Sequence, residues 1–153
     1  MLALMSIWIF LFLLSIGIFS VLAVLLHKNL SEALKLGLYL AIFDFFFENL
    51  GGYFGLWTTK NSILFLGFVP IEVFFIATLA GATYYLLFPR NWDTATALST
   101  SFLIAVVGAM LEAGLVSGGY LEYMNWWNSY WAVLAYFLTF LMMYKVNLLI
   151  TKS

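Results

Sequence analysis

The stretch Asp44-Phe-Phe-Phe-Glu48-Asn-Leu-Gly-Gly52, continued through Trp57 to Pro70-Ile71-Glu72, decides how this chain is read. It sets three carboxyl groups into segments otherwise apolar enough to cross a bilayer. A carboxylate near the middle of a membrane costs at least ~2.5–3.5 kcal/mol, so such residues normally face a bundle interior or a cavity and point to function. The rest of the chain is read for what would give these acids a home.

Composition sets the class. With 65% hydrophobic residues, 8% charged and a mean hydropathy of +1.07, the 153-residue chain cannot hide its apolar surface in a water-soluble core. A multi-pass protein of the cell membrane is expected. The formal charge of −1, with six scattered basic residues, argues against nucleic acid, which requires a clustered basic surface. The absence of cysteine removes disulfides, zinc-thiolate sites and thiol nucleophiles together. The single His27, beside Lys28 at a helix end, reads as an interfacial side chain. No nucleotide loop, Ser-His-Asp set or cluster of His ligands is present, so no metal and no cofactor are expected.

The fold class expected is all-α: one polytopic bundle of five transmembrane helices near residues 4–26, 34–56, 63–88, 95–116 and 129–150, each long enough for the ~20 residues a span needs. The first span has no acid or base and reads as a peripheral, lipid-facing helix. Its length, and the lack of a basic segment before it, favour a retained helix over a cleaved signal peptide. Lys28, Lys35, Arg90, Lys145 and Lys152 fall at one set of helix ends and Lys60 at the other. The positive-inside rule then puts the amino terminus outside and the carboxyl terminus in the cytoplasm. Trp57, Trp92, Trp126, Trp127, Tyr130 and Trp131 lie at span ends, where amphipathic rings anchor in the headgroup layer; those near Gly118-Gly119-Tyr120 also have a reading as the roof of a cavity.

In the second span Asp44 and Glu48 are four residues apart and share a face with Ala41, Gly51, Gly52 and Gly55, which predicts an acidic face that is also the packed face. In the third, Pro70 ahead of Glu72 predicts a kink. In the fourth, Ala97, Ser101, Ala105 and Ala109 recur every fourth residue beside a stripe holding Gly108 and Glu112, a packing seam that ends in an acid. Counting at ~1.5 Å per residue puts Glu48 and Glu72 within roughly 5 Å of mid-membrane and Glu112 about 10 Å toward the outer face. The acids are expected to converge and, with no base at that depth, to be largely protonated. The bland reading is that they only hydrogen-bond across helices, to Asn49, Thr78 or Tyr side chains.

Asp44, the triplet Gly55-Leu56-Trp57 and the run Pro70-Ile71-Glu72-Val73-Phe74-Phe75 resemble, in that order, the motifs of the integral-membrane lycopene cyclase domain of bacterial and fungal carotenoid enzymes. The likeness covers roughly residues 36–88, with Glu72-Val73 where that family has paired glutamates. It implies a redox-neutral isomerase that closes rings on a linear carotenoid, with Asp44 and Glu72 as acid candidates. The whole chain, with Tyr84-Tyr85-Leu-Leu-Phe-Pro89-Arg90-Asn-Trp92, also resembles a group of small bacterial five-span proteins, which implies topology alone.

The candidate catalytic residues are therefore Asp44, Glu48, Glu72 and Glu112, and the candidate substrate contacts Asn49, Trp57, Phe75 and Trp127. A neutral carboxylic acid can protonate an alkene, a second carboxylate can take the proton back, and aromatic faces can stabilise the cation between these steps. The partner would be a membrane lipid or lipophilic small molecule, within a homo- or hetero-oligomer with another membrane protein. Two other classes fit the same residues: a small proton- or cation-coupled transporter component, and an accessory subunit whose acids pair with bases on a partner.

Overall fold

The computed structural model describes residues 6–88 and 93–152. The first residues of the predicted first span, and Pro89, Arg90 and Trp92, lie outside the described residues, as does the Lys152 side chain. Five helices dominate, α1 (Ile7–Leu26), α2 (Leu30–Tyr53), α3 (Ile71–Leu87), α4 (Thr94–Ser117) and α5 (Ser129–Lys152), with short strands β1 (Trp57–Thr59), β2 (Phe65–Leu66), β3 (Val69–Pro70) and β4 (Leu121–Tyr123). Three helices, Ile7–Leu26, Thr94–Ser117 and Ser129–Ile150, are long and apolar enough to cross a membrane. The helix α3 is shorter, at 17 residues, and α2 carries Glu32, Lys35, Asp44 and Glu48 within its 24.

The chain divides into two compact units, one of residues 1–53 and 61–88 and the other of 54–60 and 89–153. In the first unit α3 packs against both α1 and α2. The closest approach is made by two glycines: a Cβ on Gly37 would lie 2.1 Å from the Thr78 carbonyl oxygen, and one on Gly81 would lie 2.8 Å from Gly37 Cα. Backbone against backbone is how helices associate where lipid removes the hydrophobic drive between them. The amino end of α1 is capped by Ser6, whose hydroxyl also donates to the Asn61 carbonyl at 2.7 Å. Only Trp8 of α1 is buried, in keeping with a peripheral helix.

The third helix starts eight residues later than the apolar run suggests, at residue 71 instead of 63. Two residues decide this. Gly67 has φ +71° and opens the two-residue turn Gly67-Phe68 of the β2–β3 hairpin, which pairs Phe65 with Pro70 and Leu66 with Val69. Pro70 then holds the residue before it extended and serves as the helix amino cap, so it starts α3 and does not kink it. Glu72 accordingly sits in the first turn of α3. It lies about 10 Å along the axis from the middle of that helix, whereas the longer predicted span put it within roughly 5 Å of the span's middle. The second helix also ends early, at Tyr53, leaving Gly55 in a turn with φ +64°.

In the second unit α4 and α5 pack together, and the buried residues of α4 are Ala97, Ser101, Ala105 and Ala109, the seam predicted from their spacing. Ser101 is fully buried and its hydroxyl has no hydrogen-bond partner among the described residues, so its place in the seam depends on size. Replacing it by Ala removes a desolvated hydroxyl at almost constant volume, and thermal unfolding in detergent should show Ser101→Ala unchanged or stabilised by up to ~1 kcal/mol. Asp93 caps α4 by accepting from the Thr96 amide at 2.8 Å. Residues 57–59 and 121–123 pair as the antiparallel ribbon β1–β4, with Trp57 opposite Tyr123, Thr58 opposite Glu122 and Thr59 opposite Leu121.

Candidate functional site

Asp44 and Glu48 stand on the face of α2 that meets α3. Asp44 and Glu48 lie at three- and four-residue steps between the buried Ala41 and the buried Gly51, on the stripe that begins with the buried Ala33 and Gly37. Gly37 fixes the direction of that stripe by its contact with Thr78 and Ala82, and Phe45 meets Phe74 of α3 edge to face at 6.4 Å. Both acids are half-buried and neither is without a partner. Aromatic rings accompany them along the helix, Phe43 stacking on Phe47 at 6.1 Å.

Two further candidates of this unit are occupied by local structure. The Asn49 amide donates to the Phe45 carbonyl at 2.9 Å, while its oxygen accepts the Phe68 amide at 2.9 Å and lies 2.1 Å from where a Cβ on Gly67 would be. Asn49 thus pins the hairpin tip to α2. Asn49→Ala removes the acceptor of the exposed Phe68 amide, and a stability loss of about 0.5–1.5 kcal/mol is expected in thermal or denaturant unfolding. Glu72, 6% exposed, accepts from the Ser62 hydroxyl at 2.6 Å and the Ile63 amide at 3.3 Å. A carboxylate in a first helical turn is also favoured by the helix dipole. Phe75 lies on another side of α3, where it meets Phe12 of α1 at 5.6 Å. At the other end of α3 the buried Tyr85 donates to Glu32 and Lys28 donates to the Phe88 carbonyl at 3.0 Å, a polar cluster that the apolar scan of the chain passed over.

The second unit holds Glu112, Trp57 and Trp127. Glu112, on α4, accepts from the Tyr123 hydroxyl of β4 at 2.7 Å and is hydrogen-bonded by Tyr136 of α5. Gly108, one turn earlier, leaves room for the Tyr136 ring, which lies 3.3 Å from where its Cβ would be. Burial, and then the hydrogen bond to the neighbouring carboxylate, push the Tyr123 phenol well above its usual range, so it keeps its proton and remains a donor. Neither of these two hydroxyl partners, Tyr123 and Tyr136, was singled out from sequence, because nothing in their spacing ties β4 and α5 to Glu112.

Trp57 and Trp127 do meet, with ring centres 4.6 Å apart, and the contact continues through Trp126 to Trp131. Trp57 is buried, whereas Trp126 and Tyr130 are exposed, as expected of interfacial anchors. The Asn125 amide donates to the Gly55 carbonyl at 2.7 Å, and Lys60 pairs with Glu122 across the ribbon at 2.5 Å. Both partners of that pair are about half exposed, so it contributes at most ~1 kcal/mol. Among the described residues no group of three or more His, Asp or Glu is arranged to hold a metal ion. Asp44, Glu48 and Glu72 belong to the first unit and Glu112 to the second, each with its own surroundings. Comparison of the chain with protein-family models, with curated proteins and with solved structures finds no match in any of the three.

Proposed function

We propose that the chain is a five-span membrane protein, amino terminus outside and carboxyl terminus cytoplasmic, that isomerises an isoprenoid by proton transfer, closing a ring on a linear carotenoid-like substrate. The observation that carries this reading is the pair Asp44 and Glu48 on the α3-facing stripe of α2, flanked by Phe43, Phe45, Phe47 and Phe74. One carboxyl, protonated, gives its proton to a terminal carbon–carbon double bond. A second double bond attacks the resulting cation and closes the ring, and the other acid, as carboxylate, removes a proton from the carbon beside the new cation. Protons in and out balance and no electrons are exchanged. Phenyl faces stabilise the cation by ~0.5–2 kcal/mol each. The resemblance of Asp44, Gly55-Leu56-Trp57 and Pro70-Ile71-Glu72 to the lycopene cyclase domain supports the same chemistry.

Glu72 is assigned a positioning role, because its oxygens already accept from Ser62 and Ile63 and hold the segment that leads into α3. The test is conversion of a linear carotenoid in membranes containing the protein, repeated with any neighbouring membrane subunit co-expressed. A cyclised product supports the reading. No product in either case, together with acid-dependent proton or cation flux in liposomes, replaces it with a transporter. The orientation has its own test: a reporter fused after Ser153 should be cytoplasmic and residues 118–125 should label from outside, and the reverse pattern would overturn the assignment.

A further inference from the structure

Residues 61–71 carry no charged side chain, and the β2–β3 hairpin within them turns much of its apolar surface outward. The return strand is packed into the first unit, with Val69 and Pro70 fully buried. The approach and the tip are not: Ile63, Leu64, Phe65, Leu66 and Phe68 are 40–73% exposed. A contiguous apolar run held outward marks a surface that meets a membrane or a partner. The backbone behind it is tied at every turn. The Ile63 amide donates to Glu72 at 3.3 Å, the Leu64 amide to the Ser62 hydroxyl at 3.3 Å, the Phe68 amide to Asn49 at 2.9 Å and the Ile71 amide to the Leu64 carbonyl at 2.9 Å. The Phe68 ring lies over Gly52 of α2, where a Cβ would be 2.4 Å from its Cγ. Amides satisfied within the protein are what contact with acyl chains demands, since lipid offers them no partner.

The level of the hairpin is fixed by α1. Ser6, the amino cap of that helix, donates to the Asn61 carbonyl at 2.7 Å, so the hairpin begins beside the end of a 20-residue helix apolar enough to cross a membrane. Phe10, Leu13 and Leu14 are exposed on the same helix, and lipid that covers them continues to the segment at its end. Strands of two residues reach roughly 7 Å, far short of the ~30 Å hydrocarbon core and close to the ~5–10 Å that interface-bound elements enter. We infer that the β2–β3 hairpin is an interfacial anchor, its exposed side chains entering the leaflet at the amino end of α1 where headgroups meet acyl chains. The partner of this surface is lipid. Such contact rests on the reading of α1 as a membrane span and is independent of the proposed ring closure.

The chain has no cysteine, so single labels can be placed without other changes. Ile63→Cys and Leu66→Cys, each carrying a bimane fluorophore, are reconstituted in phosphatidylcholine–phosphatidylglycerol vesicles whose lipids bear a nitroxide either near the headgroup or near the chain end, and iodide is added to the water. Ile16→Cys, exposed near the middle of α1, and Ser31→Cys, exposed at the start of α2, report the core and the water. Both hairpin labels should be quenched about twofold or more better by the shallow nitroxide than by the deep one, and less by iodide than the Ser31 label. Quenching by the deep nitroxide equal to that of the Ile16 label would return residues 63–66 to a span and overturn the inference. Iodide quenching equal to that of the Ser31 label would put the hairpin in water, and protection from all three quenchers with cross-linking between copies would put a second chain on it; either result overturns it too. An Ile16 label that no nitroxide quenches would remove the membrane reading itself, a failure distinct from failure of the hairpin labels alone.

Discussion

Gly37→Ala is expected to lose about 3 kcal/mol or more of stability, the upper end of what overpacking a close-packed site costs. The added methyl carbon would sit 2.1 Å from the Thr78 carbonyl oxygen, 3.1 Å from its carbon and 3.2 Å from the Ala82 nitrogen. All three are backbone atoms of α3, so no side-chain rotation can make room and the two helices must separate. Gly81→Ala meets Gly37 Cα and Leu40 Cβ at 2.8 and 3.0 Å and should act in the same direction more mildly. Gly17→Ala in α1 and Gly114→Ala in α4 meet nothing within 4 Å and serve as controls without loss. Thermal unfolding of the four variants in one detergent measures the ordering. Equal behaviour of Gly37→Ala and Gly17→Ala would remove the close α2–α3 crossing on which the acid stripe depends.

The second large effect is chemical. Asp44→Asn and Glu48→Gln keep size and most hydrogen-bonding capacity but remove the transferable proton, so each should lower turnover of a cyclisable substrate about 10²–10⁴-fold with little change in stability. Glu72→Gln should show the contrary pattern: it weakens the acceptor for Ser62 and Ile63 and lowers stability, while whatever remains folded turns over. A large stability loss with unchanged product in the Asp44 and Glu48 variants would make these acids helix-packing groups instead.

Much of the architecture was legible because helical spacing survives in apolar sequence. The seam Ala97, Ser101, Ala105 and Ala109 was read at four-residue steps and is buried as read. The acidic face of α2 was found by the same logic, since a half-buried carboxyl must share the side of its helix that packs. Hydropathy misled around Ile63 to Val69, a segment as apolar as a span, where the left-handed Gly67 and the cyclic Pro70 impose a hairpin that no apolar average reveals. Asn49 was legible as a polar side chain beside the acids, read as a substrate contact or hydrogen-bond partner, but not as the anchor of that hairpin, because its partner Phe68 lies 19 residues away. The pairing of Trp57 with Tyr123 joins still more distant segments. The hydroxyls that surround Glu112 were hidden for the same reason.

The claim that most needs a direct measurement is that a protein acid protonates a carbon–carbon double bond. Membranes containing the protein, with any neighbouring subunit co-expressed, are equilibrated in deuterium oxide and supplied with a linear carotenoid, and the product is weighed by mass spectrometry. Carboxyl protons exchange with the solvent, so each closed ring should carry one deuterium, and Asp44→Asn and Glu48→Gln should yield little product of any mass. A ring formed without deuterium would contradict proton transfer from an exchangeable acid, and full activity in both variants would contradict its assignment to Asp44 and Glu48.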